Sequence, residues 1–583
     1  MSSFLKIFLA SLLALIVFTV AAFFLLVGMA GSLASSEKPT VGGKAILVVN
    51  LEDEFKEIAE DNPIAEITAG EENQTPALYD LLRLIRHAKS DSAVKGIYLR
   101  CGSNANGFAT GEAIREALAD FKSANKFVIA YGDVITQGGY RVGNVASKIY
   151  CNPKGGVDWK GYAMQLLFLK GTLEKLDIQP QIFYAGKFKS ATEPFRETKM
   201  TDANRQQSTE LMNGLYEQLL LQTAEARKLD TATLHRYANE NLIRSANDAV
   251  KYGLVDGLKY DDEVKDEIKQ RTGSGKYDKI NFITAGKYMK AVDYKKSGKS
   301  KIAVIYAQGD IIDGKGEKES IGSESYRTLV RKARLDKDIK AIVFRINSGG
   351  GSALASEVIW RELTLAKADK PVIVSFGDVA ASGGYYLACN ADSIFAEHNT
   401  ITGSIGVFTL IPNMQGFFNK KLGVTFDGVK TSPDADAMTV SKPLTESQKR
   451  FLQNDIDSTY HTFKSRVAEG RKLSIEYVDS VGQGRVWIGS KAVELGLVDR
   501  IGGLDQAVAC AARMAKITDY RLREYPDKRG FLDMILGSKE QAPQAALRQE
   551  LGEDGYRVYQ QIKKTKNLSG KAQARMPFEL VVE

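Results

Sequence analysis

Two stretches of this chain are variants of one another. KFVIAYGDVITQGGYRVGNVASKIY, from Lys126, and KPVIVSFGDVAASGGYYLACNADSIF, from Lys370, share their order, their spacing and several identities. Asp133, Gly138, Tyr140 and Ile149 have counterparts in Asp378, Gly383, Tyr385 and Ile394, each 245 residues further on (383 − 138, for instance). The correspondence extends outward. KIAVIYAQGDI answers KAILVVNLEDE, IKAIVFRIN answers VKGIYLRCG, and GLVD at Gly496 answers GLVD at Gly253, an offset of 243 (496 − 253). An offset held to two residues over such a span marks the tandem duplication of a unit of roughly 240 residues, much longer than a solenoid repeat. A chain of this kind folds as two similar units.

Within a unit, short runs rich in β-branched residues alternate with stretches of helical period. In the first, strands are expected at KAILVVN, VKGIYLRC, KFVIAYGDV, SKIYCN and PQIFYAG, and helices over ALYDLLRLIRHAKS and GEAIREALADFKSA. That alternation specifies an α/β fold. The first repeat is placed at residues 43–299, ending near the basic stretch KQRTGSGKYDK, and the second at 301–515. A charged tail, 516–583, follows; QAALRQELGEDGYRVYQQIKK has helical promise there and no readable function.

Ahead of the repeats, Ile7–Ala30 is almost wholly apolar. As a helix it would rise about 36 Å, enough to cross a bilayer with some tilt. Residues 1–36 therefore read as an uncleaved signal anchor, a single transmembrane helix with its flank. Lys6 and the α-amino group precede the span, a small bias that keeps the N-terminus inside and puts both repeats on the periplasmic side of the inner membrane. Net charge is 79 − 71 = +8, spread along the chain, which gives no basic patch for nucleic acid. The four cysteines lack CxxC spacing, so neither a zinc site nor a disulfide framework is indicated. No cofactor and no metal is expected.

The halves differ where chemistry could reside. Ser382 ends a predicted strand and precedes Gly383 and Gly384 at the start of a helix, where unpaired backbone N–H groups and the positive dipole end lie. Helix capping by Ser-Gly-Gly is the commoner use of such a segment. The first half, however, has Gln137 at that position, and in place of the glycine loop INSGGGSALASE it has CGSNANGFATGE, with Ala105 and Asn106 opposite Gly350 and Gly351. Conversely, the first half has Lys189 in AGKFKSATEPF, where the second has Thr431. Each half lacks what the other has. A serine hydroxyl needs a base, and of the four histidines only His398, just past the strand after Ser382, is a candidate. A lysine serves instead if burial lowers its pKa to about 7, a shift that costs roughly 4.6 kcal/mol. Lys189 and Lys187 both qualify on position.

FKSATEPF, RINSGGGS, GDVAASGGYY, TGSIGVF and GRVWIGSKAVELGLVD together resemble the signal peptide peptidase A (protease IV) family in its long, tandem-domain bacterial form, from the anchor to about Ala515. The resemblance implies a Clp-protease/crotonase-like fold in each repeat and a serine peptidase with a Ser–Lys dyad that degrades cleaved signal peptides. By motif position, Ser382 is then the nucleophile and Lys189 the general base. Gly383, with Gly350 or Gly351, forms the oxyanion hole, and Ser404 of TGSIG is a candidate to orient the lysine. Gly349 stands where the family has proline, which loosens the loop. A ring-like homo-oligomer, a tetramer enclosing the active sites, is implied too. The rival readings are a crotonase-like acyl-CoA enzyme and a non-catalytic membrane scaffold. A hydratase has no reason to keep one serine and one lysine in complementary halves, and a silent scaffold would have lost at least one of them.

Overall fold

The computed structural model describes residues 4, 6–8, 10–21, 38–59, 74–317, 319–527 and 571–576. Among the described residues no helix is long and apolar enough to cross a membrane. The anchor expected at Ile7–Ala30 is described only in part, as helix at residues 7–8 and 10–21, and its remainder lies outside the described residues, as does QAALRQELGEDGYRVYQQIKK.

The first half contributes β1 (Ala45–Asn50), β2 (Val94–Arg100), β3 (Phe127–Ile135), β4 (Lys148–Val157), β5 (Gln179–Ala185), β6 (Gly257–Leu258) and β7 (Phe282–Thr284). Six of them form a parallel sheet in the order β6-β4-β3-β2-β1-β7. Helices α1 (Leu78–Ser90) and α2 (Phe108–Lys122) cover one face, and the helix at Asp261–Thr272 covers the other. With both faces buried, the strands read as near-continuous apolar runs.

The second half repeats this frame with β8 (Ser300–Gln308), β9 (Asp310–Ile312), β10 (Ser320–Gly322), β11 (Ile339–Ser348), β12 (Gly350–Ser352), β13 (Val372–Ala381), β14 (Ser393–Ala396), β15 (Ile401–Gly403), β16 (Val407–Asn413), β17 (Val486–Ile488) and β18 (Arg500–Ile501). Its sheet runs β17-β15-β13-β11-β8-β19, with β14 joining β13 to β18. The last strand of that order, β19 (Tyr520–Tyr525), pairs in parallel with β8, as β7 does with β1. The boundary expected at residue 515 is therefore corrected: the segment read as tail supplies the edge strand that completes the second sheet.

A second correction concerns PQIFYAG. It is a strand, β5, but it leaves its own half and pairs antiparallel with β16 over seven residues, from Val407 opposite Ala185 to Asn413 opposite Gln179. A separate sheet results, β10-β9-β12-β20-β16-β5, in which β20 is Gln573–Arg575. Its strands come from both halves and the C-terminal segment. Phe183 of β5 belongs to the core of the second half. In the second half residues 424–430, the counterpart of β5, form no strand and are exposed, and the β16 edge is covered by β5 of the first half.

Candidate active site

Ser382 follows β13 and begins a short helix, Gly383–Ala388. Its backbone has φ +54° and ψ −112°, a conformation that non-glycine residues rarely adopt. The surrounding bonds hold it there: Ser382 N–H donates to Gly403 O at 2.8 Å, and Tyr386 N–H to Ser382 O at 2.8 Å. Such strain at a strand-to-helix corner projects a side chain off the sheet edge. Gly383, first in the helix, has no carbonyl in a preceding turn to receive its N–H. Gly350, at φ +100°, crosses beside it, and a Cβ there would lie 2.7 Å from Gly383 N. Only glycine permits that approach.

Lys189 is delivered by β5. After Ala185 the chain turns through Gly186 and is tied to the second half by Phe188 N–H donating to Gln483 O at 2.7 Å. Gly484, at φ +78°, packs so closely that a Cβ on it would sit 2.7 Å from Lys189 Cα. The Lys189 Nζ ends 2.8 Å from Ser382 Oγ, 3.0 Å from Ser404 Oγ and 3.1 Å from Ser404 O. Lys189 is 1 % exposed and Ser382 and Ser404 are 0 % exposed. Burial alone pushes the Lys189 pKa well down from its usual value. A neutral amine has two N–H donors and one lone pair. With the amine neutral, the carbonyl and hydroxyl of Ser404 accept its two N–H groups and its lone pair faces Ser382 Oγ, whose O–H also has the Gly406 carbonyl within 3.4 Å. The arrangement can therefore draw a proton from the serine.

The competitors fall elsewhere. Lys187 is exposed, with its Nζ 5.5 Å from the centre of the Phe188 ring. His398 Nδ1 is 2.5 Å from Glu112 Oε1, in the contact between the halves, and that bond raises the histidine pKa. Thr431, opposite Lys189 in the repeat, is exposed. In the first half Gln137 fills the position of Ser382 with an amide whose oxygen accepts from Lys160 N–H and Gly161 N–H and whose nitrogen donates to Gly161 O. Of the glycine run, the Gly350 N–H is taken up by Ser348 Oγ at 3.1 Å. Among the described residues one group, Glu112, Glu116 and Glu397, brings three carboxylates within 4.8 Å and could hold a cation. Burial and the neighbouring Glu112 push the Glu397 carboxyl well up, so a proton can relieve the same crowding.

Sequence reasoning missed the segment at 571–576, which lies directly against the glycine loop. Nothing in KAQARM, short and without an apolar run, signals a strand; its pairing partners are more than 150 residues away.

Comparison with known proteins defines the class first: this is a serine peptidase. The model of peptidase family S49 matches twice, at residues 120–274 and 364–518, once in each half. The chain belongs to peptidase family S49, in its long two-domain form. It is 36% identical over 484 residues to Protease 4 of Salmonella typhi, covering 81% of this chain and 78% of that one. Protease 4 of Haemophilus influenzae is 34% identical over 81% of this chain and 80% of its own. The chloroplastic serine protease SPPA of Arabidopsis thaliana is 32% identical over 74% of this chain and 64% of its own.

Proposed function

We propose that this chain is a membrane-anchored endopeptidase in which Ser382 is the nucleophile and Lys189 its general base, acting on cleaved signal peptides and other short unfolded peptides. The observation that carries the reading is the 2.8 Å contact between a serine hydroxyl and a buried lysine amine that has no carboxylate partner among the described residues. Ser382 Oγ bonds to the substrate carbonyl carbon as its proton passes to Lys189 Nζ. The carbonyl oxygen gains the negative charge and takes hydrogen bonds from Gly383 N–H and from the Gly351 N–H of the glycine loop, since Ser348 Oγ holds the Gly350 N–H. The ammonium then returns the proton to the leaving amine as the peptide bond breaks. Water repeats the cycle on the acyl-enzyme, with Lys189 again as base. Ser404 orients Lys189 throughout.

The same reading takes each half as a Clp-protease/crotonase-like unit, supported by the glycine loop beside a serine at a strand–helix corner. It places both halves outside the cytoplasm, in a homotetramer that restricts access to short peptides. Labelling by a fluorophosphonate probe tests the dyad. Full-length protein should label, Ser382→Ala should not, and Lys189→Arg should label as poorly as Lys189→Ala. Retained labelling in Lys189→Arg overturns the lysine's role. External protease acting on spheroplasts should digest the domains, and light scattering of a chain beginning at Gly42 should give four copies.

A further inference from the structure

The segment that carries Lys189 is held from two sides by glutamines. Gln207, buried on the helix Asp202–Arg227, turns its amide nitrogen to Phe188 O at 3.0 Å and to Ser190 Oγ at 2.8 Å, the residues on either side of the lysine. Its amide oxygen accepts from Val486 N–H of β17 at 3.3 Å. The helix meets β17 along one face. Gln207, Leu211 and Gly214 follow one another at helical spacing, and a Cβ on Gly214 would lie 2.6 Å from Ile488 Cδ1. Gln483 closes the other side. Its carbonyl accepts from Phe188 N–H at 2.7 Å and its side-chain oxygen from Lys187 N–H at 3.1 Å, while its amide nitrogen donates to Asp479 Oδ2 at 2.8 Å. The Gln483 backbone is left-handed, at φ +53°, a conformation uncommon outside glycine, and its N–H donates to Tyr460 OH at 3.1 Å.

The run 483–486 serves the serines as well. Gly484 N–H donates to Ile405 O and Ser404 N–H to Arg485 O, each at 2.7 Å, and Val486 pairs with Gly403, whose carbonyl receives the Ser382 N–H. One short run thus bears on Lys189, Ser404 and Ser382. Gln207 joins the base to it with a donor toward a carbonyl and an acceptor toward an N–H. A carboxylate lacks the donor, and an apolar side chain lacks both. The repeat supplies a contrast. The helix Glu446–Arg471 begins 244 residues after Asp202–Arg227 (446 − 202), which puts Phe451, an exposed residue, at the position of Gln207 (451 − 207). The half with Thr431 in place of Lys189 therefore has no amide there either. We propose that Gln207, with Gln483 opposite it, is a positioning residue for the general base, setting the 187–190 segment against β17 so that the Lys189 amine reaches Ser382 and stays out of water. This rests on the assignment of Lys189 under Proposed function. A base displaced by about 1 Å costs on the order of 100-fold in rate. Water beside the amine also favours the ammonium, so the pH at which activity is lost on acidification moves up.

The test uses the full chain and four variants of it. Gln207→Met keeps the length of the side chain without its amide, and Gln207→Glu keeps an acceptor for Val486 while losing the donor to Phe188. Gln483→Gly keeps the left-handed backbone and removes only the side chain. Tyr79→Phe removes a hydrogen bond between the halves elsewhere. The readings are kcat and KM for a peptide ester as a function of pH, the rate of fluorophosphonate labelling, and the Tm. Both Gln207 variants should lower kcat about 100-fold with KM within about twofold, label more slowly, and move the acidic limb of the kcat profile up by about one pH unit. Gln483→Gly should act in the same direction, about tenfold in kcat. Tyr79→Phe should lower the Tm and leave kcat and the acidic limb in place. A lowered Tm with kcat and the acidic limb unmoved in both Gln207 variants overturns the proposal. If Gln207→Met loses its cooperative thermal transition, Gln207→Glu and Gln483→Gly decide by the same readings. Lys189→Ala separates this proposal from the one beneath it. Labelling of Lys189→Ala at the rate of the unaltered chain overturns the base and the positioning role together. No labelling of Lys189→Ala, with the glutamine variants matching the unaltered chain, leaves the base in place and overturns the positioning role alone.

Discussion

Lys189 sits in surroundings that its type disfavours. Its ammonium is removed from water with no carboxylate among the described residues to compensate, so its pKa falls well below 10.5 on folding. Between the folded and unfolded values the unfolded chain binds the extra proton. Stability therefore rises with pH across that window, and at neutral pH the lysine lowers it. Lys189→Met should accordingly raise the Tm at pH 7 and flatten its pH dependence, measured by calorimetry at pH 6, 7 and 9. The same change should reduce peptide hydrolysis on the order of 10⁴-fold. In the unaltered protein, activity should fall on acidification, as the amine takes up a proton and can no longer accept one from Ser382. Lys187→Ala and His398→Ala, which touch neither Ser382 nor Lys189, should keep most of the activity.

At the scale of elements, the repeat is preserved in detail where it builds the frame. The helices Asp202–Arg227 and Glu446–Arg471 start from threonine caps, Thr201 and Thr445, and end at Lys228 and Lys472 with the same backbone angles, φ 57° and ψ 43°. Tyr140 OH donates to Leu254 O at 2.7 Å, and Tyr385 OH to Leu497 O at 2.9 Å, the equivalent bond one repeat later. The repeat breaks where β5 crosses to β16, and that break carries Lys189 to Ser382. Gly484 holds the end of the crossing. Gly484→Ala would force a methyl group against Lys189 Cα in a backbone conformation that alanine disfavours. A cost of about 1–3 kcal/mol is expected, with kcat reduced together with stability, read by urea unfolding and ester hydrolysis.

Over the whole molecule, the halves are joined by polar contacts as well as by β5. Arg345, buried in the second half, pairs with Glu57 of the first at 2.8 Å and also donates to Ser375 Oγ at 2.9 Å. Thr110 donates through its N–H and hydroxyl to Asp378 at 2.9 and 2.6 Å, and Tyr79 OH to Asp505 at 2.9 Å. Glu57→Ala leaves the Arg345 guanidinium buried without its partner, and should destabilise by about 3–5 kcal/mol in denaturant unfolding. Separately produced halves give a further test. Residues 301–583 carry Ser382 without Lys189, and residues 43–299 carry Lys189 without a nucleophile, so neither alone should hydrolyse an ester. Mixing them should restore part of the rate as β5 finds β16. Full activity in the second half alone would rule out a base from the first.

The duplication, the α/β class and the contrast between halves were all legible from residue order. They depend on local periodicity and on comparing one part of the chain with another. That contrast singled out Ser382 and Lys189 and left Lys187 and His398 open beside them. Only the tertiary structure showed which of the four lie together: Lys189 Nζ is 2.8 Å from Ser382 Oγ, while Lys187 and His398 have other neighbours. Which side chains meet across 193 residues depends on the partner an edge strand takes, and strand pairing between distant segments leaves no mark in either segment's own pattern. The same reason hid the edge strand Tyr520–Tyr525 and the segment at the glycine loop. Both are short, and each is a strand only because a distant edge has N–H and C=O groups for it to pair with.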